Sequence, residues 1–234
     1  MTVAVPAGCG VVVMANSVHA GGLHNDLVLC RPDTSTIEQI DGNVAVLDGC
    51  AQEVSDIRGR FIQTWYGLGG QQSDDGIGYR RTSGIATETL RSIGGGADVD
   101  CFNANLICED LRGAVRVRNV LGATTAIVAT HQQGDRLKLQ TDSGRICIRL
   151  DGQLAEQLRV KLACAAGQVA IPALAKLRKD GRLNNGNDTN LMWFATRGDR
   201  WESALQEDNQ DILAVCRDGT ITVEPLEAPV TSAG

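Results

Sequence analysis

Histidines, cysteines and paired carboxylates, the side chains that most often carry chemistry, are spread along this 234-residue chain. The histidines, His19, His24 and His131, fall in segments predicted as loops or termini. Asp74 and Asp75 are adjacent and could serve as a carboxylate pair for acid/base work or for calcium. The alternating oxygen ligands of a calcium loop are missing, so a solvated turn is expected. We therefore predict no catalytic, cofactor-binding or metal-binding residues, with a hydrolase using Asp74, Asp75 and His131 as an alternative.

The eight cysteines include no C-x-x-C pair, and they stand at positions 9, 30, 50, 101, 108, 147, 164 and 216. Most lie inside apolar, strand-like runs. An even number of cysteines in a secreted domain could form disulfides, and cysteines with histidines could bind zinc. The scattered spacing favours small buried hydrophobic residues in a reducing compartment.

Composition limits the classes of partner. The net charge is −6, which argues against general nucleic-acid binding because phosphate neutralisation needs a basic surface. There is no apolar run long enough for a membrane span, and no lysine or arginine before Arg31 that could begin a signal peptide. The triplet Gly94-Gly95-Gly96 lacks the Lys-Ser/Thr ending of a phosphate loop, so it is interpreted as a hinge. We expect a protein made in a cytoplasm, without cofactors.

The segment from Asp41 to Tyr79 organises the predicted fold. Its bulky residues Val54, Ile57, Phe61 and Trp65 recur every three or four positions, which is the spacing of one helix face. A short strand precedes this predicted helix. The glycine-rich loop 67–79 follows it and is predicted to contact neighbouring proteins.

The remaining elements complete an α+β prediction. A second helix is predicted at 104–112. Residues 113–150 alternate apolar and polar side chains, and Gln133-Gly134-Asp135 and Thr141-Asp142-Ser143-Gly144 are predicted as hairpin turns. The expected fold is an antiparallel meander packed with one or two helices, plus an additional C-terminal mixed α/β segment. That segment is predicted to hold helices at 154–163 and 171–179 and strands at 212–216 and 221–223.

Three regions follow from this pattern. Residues 1–22 are predicted to be a flexible N-terminal arm, 23–150 the α+β domain, and 151–234 a C-terminal extension or added small domain with a frayed tail. The aromatic residues Trp193, Phe194 and Trp201 make the extension a candidate clamp on a neighbouring protein.

The order of motifs resembles the small baseplate wedge protein family of contractile-tailed bacteriophages, the lysozyme-like wedge subunits that initiate the sheath. The motifs are Ile57-Arg58-Gly59-Arg60-Phe61, the pair Tyr66-Gly67, and Asp75-Gly76-Ile77-Gly78-Tyr79. The similarity covers about residues 24 to 150.

The resemblance implies a structural virion protein that is not an enzyme. Such a subunit joins the baseplate wedge to the tail tube and helps initiate the sheath by strand exchange, in which main-chain hydrogen bonds provide affinity. Its expected partners are other baseplate wedge proteins, the tail tube or hub, and the sheath protein, in multiple copies of a symmetric assembly, with no nucleic acid and no membrane. The alternative is another phage structural protein, for tail completion or capsid decoration.

Overall fold

The computed structural model describes residues 4–6, 8–64, 86–164, 166, 168–170, 191–195 and 210–226. Within these ranges the chain forms strands β1 to β19 and one short helix, α1 (Gly152–Gln157). The strands make two sheets, one of ten strands and one of nine, and every strand runs parallel to its neighbours.

Strands that are neighbours in a sheet are not consecutive in the sequence. From one edge to the other, sheet 1 consists of β1 (Val11–Met14), β3 (Leu27–Cys30), β5 (Val44–Leu47), β7 (Phe61–Thr64), β9 (Ala97–Cys101), β11 (Ala114–Asn119), β13 (Arg136–Thr141), β18 (Ile212–Cys216), β15 (Val160–Cys164) and β17 (Leu191–Ala195). Sheet 2 consists of β16 (Gln168–Ala170), β19 (Thr220–Pro225), β14 (Arg145–Leu150), β12 (Ala123–Val128), β10 (Ala104–Leu111), β8 (Ala86–Ile93), β6 (Glu53–Ile57), β4 (Thr34–Ile40) and β2 (Ser17–Leu23).

From β1 to β17 the chain passes alternately from sheet 1 to sheet 2, so that a coil contributes one strand to each sheet. Neighbouring coils stack in register, and Leu27, Val44 and Phe61, seventeen residues apart, are direct partners. The architecture is a parallel β-solenoid. Its core lies between the sheets, where side chains such as Leu29, Val46 and Ile37 are fully buried.

The predicted α+β fold with an antiparallel meander is therefore wrong. The segment predicted as a helix contains β6, a corner and β7, and the second predicted helix, 104–112, is β10 with the residue that follows it. The spacing of Val54 and Ile57, three positions apart, is the spacing of one helix face, and it therefore indicates a helix where the chain forms a strand. In β6 both are buried because the intervening Asp56 adopts a φ of +57° and shifts the alternation by one residue.

The same kink recurs at one level of sheet 2 in five successive coils. The residues with positive φ are Gly22, Gln39, Asp56, Ser92 and Asp110. The strand pairing continues on both sides of each one, as in the partners Ile40 and Ile57. Because of each kink, the core-facing residue that follows it lies three positions after the previous core-facing residue of the same strand.

The predicted hairpin turns are corners that carry the chain from one sheet to the other. Thr141-Asp142-Ser143-Gly144 joins β13 to β14, which lie in different sheets. Glycines stack at this corner because a Cβ on Gly144 would come within 2.2 Å of the Gly122 carbonyl oxygen, and one on Gly219 within 2.0 Å of the Gly144 oxygen. A short Gly-containing turn suits a hairpin and a solenoid corner equally, so this local pattern does not fix strand direction.

The opposite corner is fastened by side chains. Asp26 Oδ1 accepts a hydrogen bond from the Asn43 amide at 2.7 Å, and Asn43 Oδ1 accepts one from the Arg60 amide at 2.9 Å. In these three neighbouring coils a side-chain oxygen thus accepts a hydrogen bond from a main-chain amide of the next coil, which holds the register.

The two sheets continue across the sequence position where a C-terminal extension was predicted to begin. Helix α1 overlaps the predicted helix 154–163 only from Leu154 to Gln157, and β15 begins at Val160 within the same segment. The predicted helix 171–179 lies outside the described residues. At the other end of the chain, β1 and β2 place residues 11–23 in the solenoid.

Candidate functional site

Of the predicted chemical residues that the structure describes, His131 lies in a different coil from His19 and His24. Asp74 and Asp75, like the predicted contact loop 67–79, lie outside the described residues, as does Trp201. His131 lies in the connection between β12 and β13, where its Nε2 is 3.2 Å from the main-chain oxygen of Asp135. His19 and His24 are exposed near the first coil and pair with Glu38 and Asp41 respectively.

His131 belongs to a polar cluster at one corner of the solenoid. The Asp135 carboxylate accepts hydrogen bonds from the amides of Gly113 at 2.7 Å and Gln132 at 2.9 Å, and it lies 3.5 Å from Arg112 Nη1. The adjoining cavity has a volume of about 30 Å³ and is also bordered by Asp211. A cavity of this size holds about one water molecule, so it offers no room for a larger substrate.

The two carboxylates of this cluster are already committed to protein partners. Burial acts to raise the pKa of Asp135, but the hydrogen bonds from Gly113, Gln132 and Arg112 outweigh it and leave the pKa below its usual value. Asp211 behaves likewise, because hydrogen bonds from the amide and side chain of Arg159 lower its pKa more than burial raises it. A general base needs the opposite shift, so this arrangement favours a structural role.

A second chemical cluster lies inside the solenoid and was not predicted from the sequence. Glu88 is only 2% exposed, its Oε2 accepts a hydrogen bond from Gln63 Nε2 at 2.8 Å, and the Cys101 thiol donates to it at 3.5 Å. The available signal was the position of Glu88 two residues before the apolar Leu90, which puts both side chains on the same face of a strand.

Burial makes this interior cluster chemically quiet. It raises the pKa of Glu88 above its ordinary value, and it raises the pKa of the Cys50 and Cys108 thiols to about 12. Burial therefore shifts the ionisation equilibria of the carboxyl and of the thiols toward the neutral forms. Among the described residues no group of histidine, cysteine or acidic side chains is arranged to hold a metal ion.

The glycine triplet 94–96 forms the corner between β8 and β9. A Cβ on Gly95 would come within 2.5 Å of the Gly59 carbonyl carbon, and Gly96 has a φ of +94°. The triplet is therefore required for close stacking of the coils.

The two most exposed large apolar side chains among the described residues lie at the N-terminal end of the solenoid. Strands β1 and β2 are the last strands of their sheets, so each has a free main-chain edge among the described residues. Val12 is 72% exposed and Met14 80% exposed on β1. Val12 begins a row that continues inward from this end through its register partners Val28, Ala45 and Ile62.

The character of this outer face changes in the middle of the solenoid. Asp98, the next register partner after Ile62, faces Arg116 with a separation of 3.2 Å, and Asp100 lies 3.3 Å from the same guanidinium. In these partly exposed ion pairs the opposite charges offset each other, and such pairs contribute little to stability. The apolar row is thus confined to the coils nearest the free edge.

Comparison with known proteins adds no relative. No family model, no curated protein and no solved structure matches this chain. In the part of the chain that the structure describes, no helix has the length and apolar character needed to cross a bilayer.

Proposed function

We propose that this protein is a structural component, assembled in multiple copies, that joins its neighbours by strand pairing at the open N-terminal end of its solenoid. The observation that carries the proposal is the free edge of β1 with Val12 and Met14 exposed beside it. An unprotected edge strand offers a row of main-chain donors and acceptors to another strand. Pairing there needs no special side chains.

The apolar row that leads away from this edge supports the same role. Val12, Val28, Ala45 and Ile62 lie side by side on the outer face of sheet 1. A neighbouring strand added beside β1 would cover the most exposed members of this row. Burial of apolar side chains would then add to the main-chain hydrogen bonds.

A contractile phage tail is one setting for such a component. In that setting the partners would be wedge, tube and sheath proteins, and the protein would be part of the virion baseplate. This stays a prediction from motif order, and its Ile57–Phe61 motif forms the end of β6, a corner and the start of β7 instead of a helix. The strand-pairing role depends on the free edge alone.

The free edge can be tested with one proline substitution. The Val11 amide donates to the main-chain carbonyl oxygen of Asp26 at 2.9 Å across the β1–β3 pair, so the next amide, that of Val12, points toward the free edge. Val12→Pro removes that donor and leaves the β1–β3 bonds in place. The matched control, Val12→Ala, keeps the amide.

The measurement is sedimentation velocity of the purified full-length chain over a range of concentrations. We expect the wild type and Val12→Ala to form species larger than one chain, and Val12→Pro to weaken this assembly by about tenfold or more, which corresponds to about 1.4 kcal/mol. A wild type that stays a single chain at every concentration, or a proline variant that assembles like the wild type, would contradict the proposal.

A further inference from the structure

The coil formed by β18 and β19, which we call the C-terminal coil, occupies an unexpected place in the stack. It is the last described coil in the sequence, but it lies between the coil β13–β14 and the coil β15–β16, which both precede it. All five residues of β18 are buried. The chain therefore leaves a space one coil wide, which we call the slot, and fills it last.

The two sides of the slot are matched to the same strand. Ile212 is the register partner of both Leu137 on β13 and Val160 on β15. In sheet 2, Thr220 likewise pairs with Arg145 on β14 and Gln168 on β16. Without the C-terminal coil, the main-chain groups on both sides of the slot lose their partners together.

The connection from β14 to β15 has the length needed to skip one coil. Residues 151–159, including α1, make this connection, whereas residues 41–43 suffice to join β4 to β5 in the next coil. Asp151 caps α1 by accepting a hydrogen bond from the Gln153 amide at 2.9 Å. The gap between β13 and β15 is thus set by residues that precede β18 in the sequence.

Two pairs of residues join β15 to the C-terminal coil, one at each end. At the start, Asp211 Oδ2 accepts hydrogen bonds from the Arg159 amide at 2.8 Å and from its Nε at 3.3 Å. At the other end, Cys164 and Cys216 are register partners, and both are buried. Directly paired residues of neighbouring strands are about 4.8 Å apart, which lies within the Cα separation of disulfides.

We propose that Cys164 and Cys216 are a disulfide-forming pair that locks the C-terminal coil in its slot, with a low-molecular-weight disulfide such as oxidised glutathione as the oxidant. One thiolate attacks the oxidant, forms a mixed disulfide and releases one thiol. The second cysteine then attacks the protein sulfur of the mixed disulfide and releases the second thiol. The two cysteines lose two protons and two electrons, and the oxidant is reduced to two thiols.

Access to the oxidant requires the coil to leave its slot. In the closed state Cys216 is fully buried, and burial together with the neighbouring Cys164 raises its pKa to about 12. The thiolate is the reacting form, so the closed pair reacts slowly. Opening of the C-terminal coil alone exposes both thiols while the coils before the slot stay folded.

The test uses the full-length protein at a denaturant concentration below its global unfolding transition. Oxidised glutathione is added, samples are quenched with acid, and peptide mapping by mass spectrometry identifies the cross-linked cysteines. We expect a Cys164–Cys216 cross-link that forms at least about tenfold faster than global unfolding, because local opening costs less free energy than complete unfolding. Cys164→Ser and Cys216→Ser should abolish it, and Cys147→Ser, on the outward side of β14, should not.

Amide exchange of the wild type gives a readout that does not depend on variants folding. In the reduced protein, amides of β18 and β19 should exchange faster than those of β5 and β7. In the oxidised protein they should slow by about tenfold or more. A different cysteine pairing, or cross-linking only at the rate of global unfolding, would overturn the proposal. Equal amide exchange rates in β18 and β19 and in β5 and β7 of the reduced protein would also overturn it.

Discussion

Val54 and Ile57 both point into the core from β6 although they are three positions apart, because Asp56 between them adopts a φ of +57°. A regular strand would turn one of the two toward solvent. The left-handed residue thus decides which side chains are buried, and it repeats in neighbouring coils. This relationship explains the helix-like spacing of the sequence and yields a direct test.

The change in the free energy of unfolding on substitution of Asp56 should follow the preference of the new residue for positive φ. Asp56→Val should lower the free energy of unfolding by about 1–2 kcal/mol, because a β-branched residue is strained at positive φ. Asp56→Gly should be neutral or stabilising by up to about 1 kcal/mol. Ser55→Val, at the neighbouring position where φ is not positive, is the control and should change little. Urea unfolding measures all three, and equal effects of valine at both positions would refute the role of the kink.

The stacked corner glycines predict a steric cost. Gly144→Ala would bring a Cβ to 2.2 Å from the Gly122 oxygen and 2.7 Å from Thr141 Oγ1, so the coils must separate. We expect a loss of about 3 kcal/mol in the free energy of unfolding. Gly152→Ala, which meets nothing within 4 Å, should change it by less than about 1 kcal/mol. Similar midpoints of thermal unfolding for the two variants would show that the corner can relax.

The interior carboxyl of Glu88 predicts a stability that falls with rising pH. Burial raises its pKa in the folded state, so its contribution is fully present below the unfolded pKa of about 4.3 and is lost as pH rises through the folded value. Glu88→Gln removes this titration. The free energy of unfolding of Glu88→Gln minus that of the wild type should increase from pH 4 to pH 8.

The matched control for Glu88 is Glu53→Gln, because Glu53 is exposed on β6. Denaturant unfolding at several pH values should show no change of slope for this variant. If Glu88→Gln has the same pH dependence as the wild type, the buried carboxyl does not govern that slope.

Asp135 predicts the opposite pH dependence. Its folded pKa is lowered, so its contribution is present above the unfolded value of about 3.9 and is lost as pH falls through the folded pKa. Asp135→Asn should cost about 1–3 kcal/mol at pH 7, because the bonds that its carboxylate accepts from Gly113, Gln132 and Arg112 are charge-assisted. This cost should shrink in acid. The exposed Asp33→Asn should change the unfolding midpoint little at either pH, and a cost at Asp135 that persists in acid would indicate a steric cause.

Strand positions were predictable from the sequence only in part, because β6, β7, β10 and β15 lie where helices are predicted, and strand direction was not predictable. Strands β5, β18 and β19 lie where alternation and β-branched residues indicate them. Alternation reports which face a side chain occupies and is the same in parallel and antiparallel sheets. The turn between β13 and β14 was therefore assigned to a hairpin, although it spans two sheets.

The informative signal was long-range recurrence. Asp26-Leu27, Asn43-Val44 and Arg60-Phe61 repeat a polar residue followed by an apolar one at intervals of seventeen. In the structure these pairs stack, and their polar members form the hydrogen-bonded corner. The interval is not kept between Phe61 and its register partner Ala97, so the period is hard to see in the sequence. The late position of the C-terminal coil has no local signal, because it arises from pairing between segments distant in sequence.

The uniform kink and corner have an evolutionary consequence. Because several coils carry their own left-handed residue and corner glycine, the main chain of such a coil can stack on the coil above in the same way as on the coil below. Duplication or deletion of one of these coils would preserve the main-chain stacking at the kink and at the corner. Such a protein can change its length in steps of one coil, about 4.8 Å along the stack, without redesign of its interior.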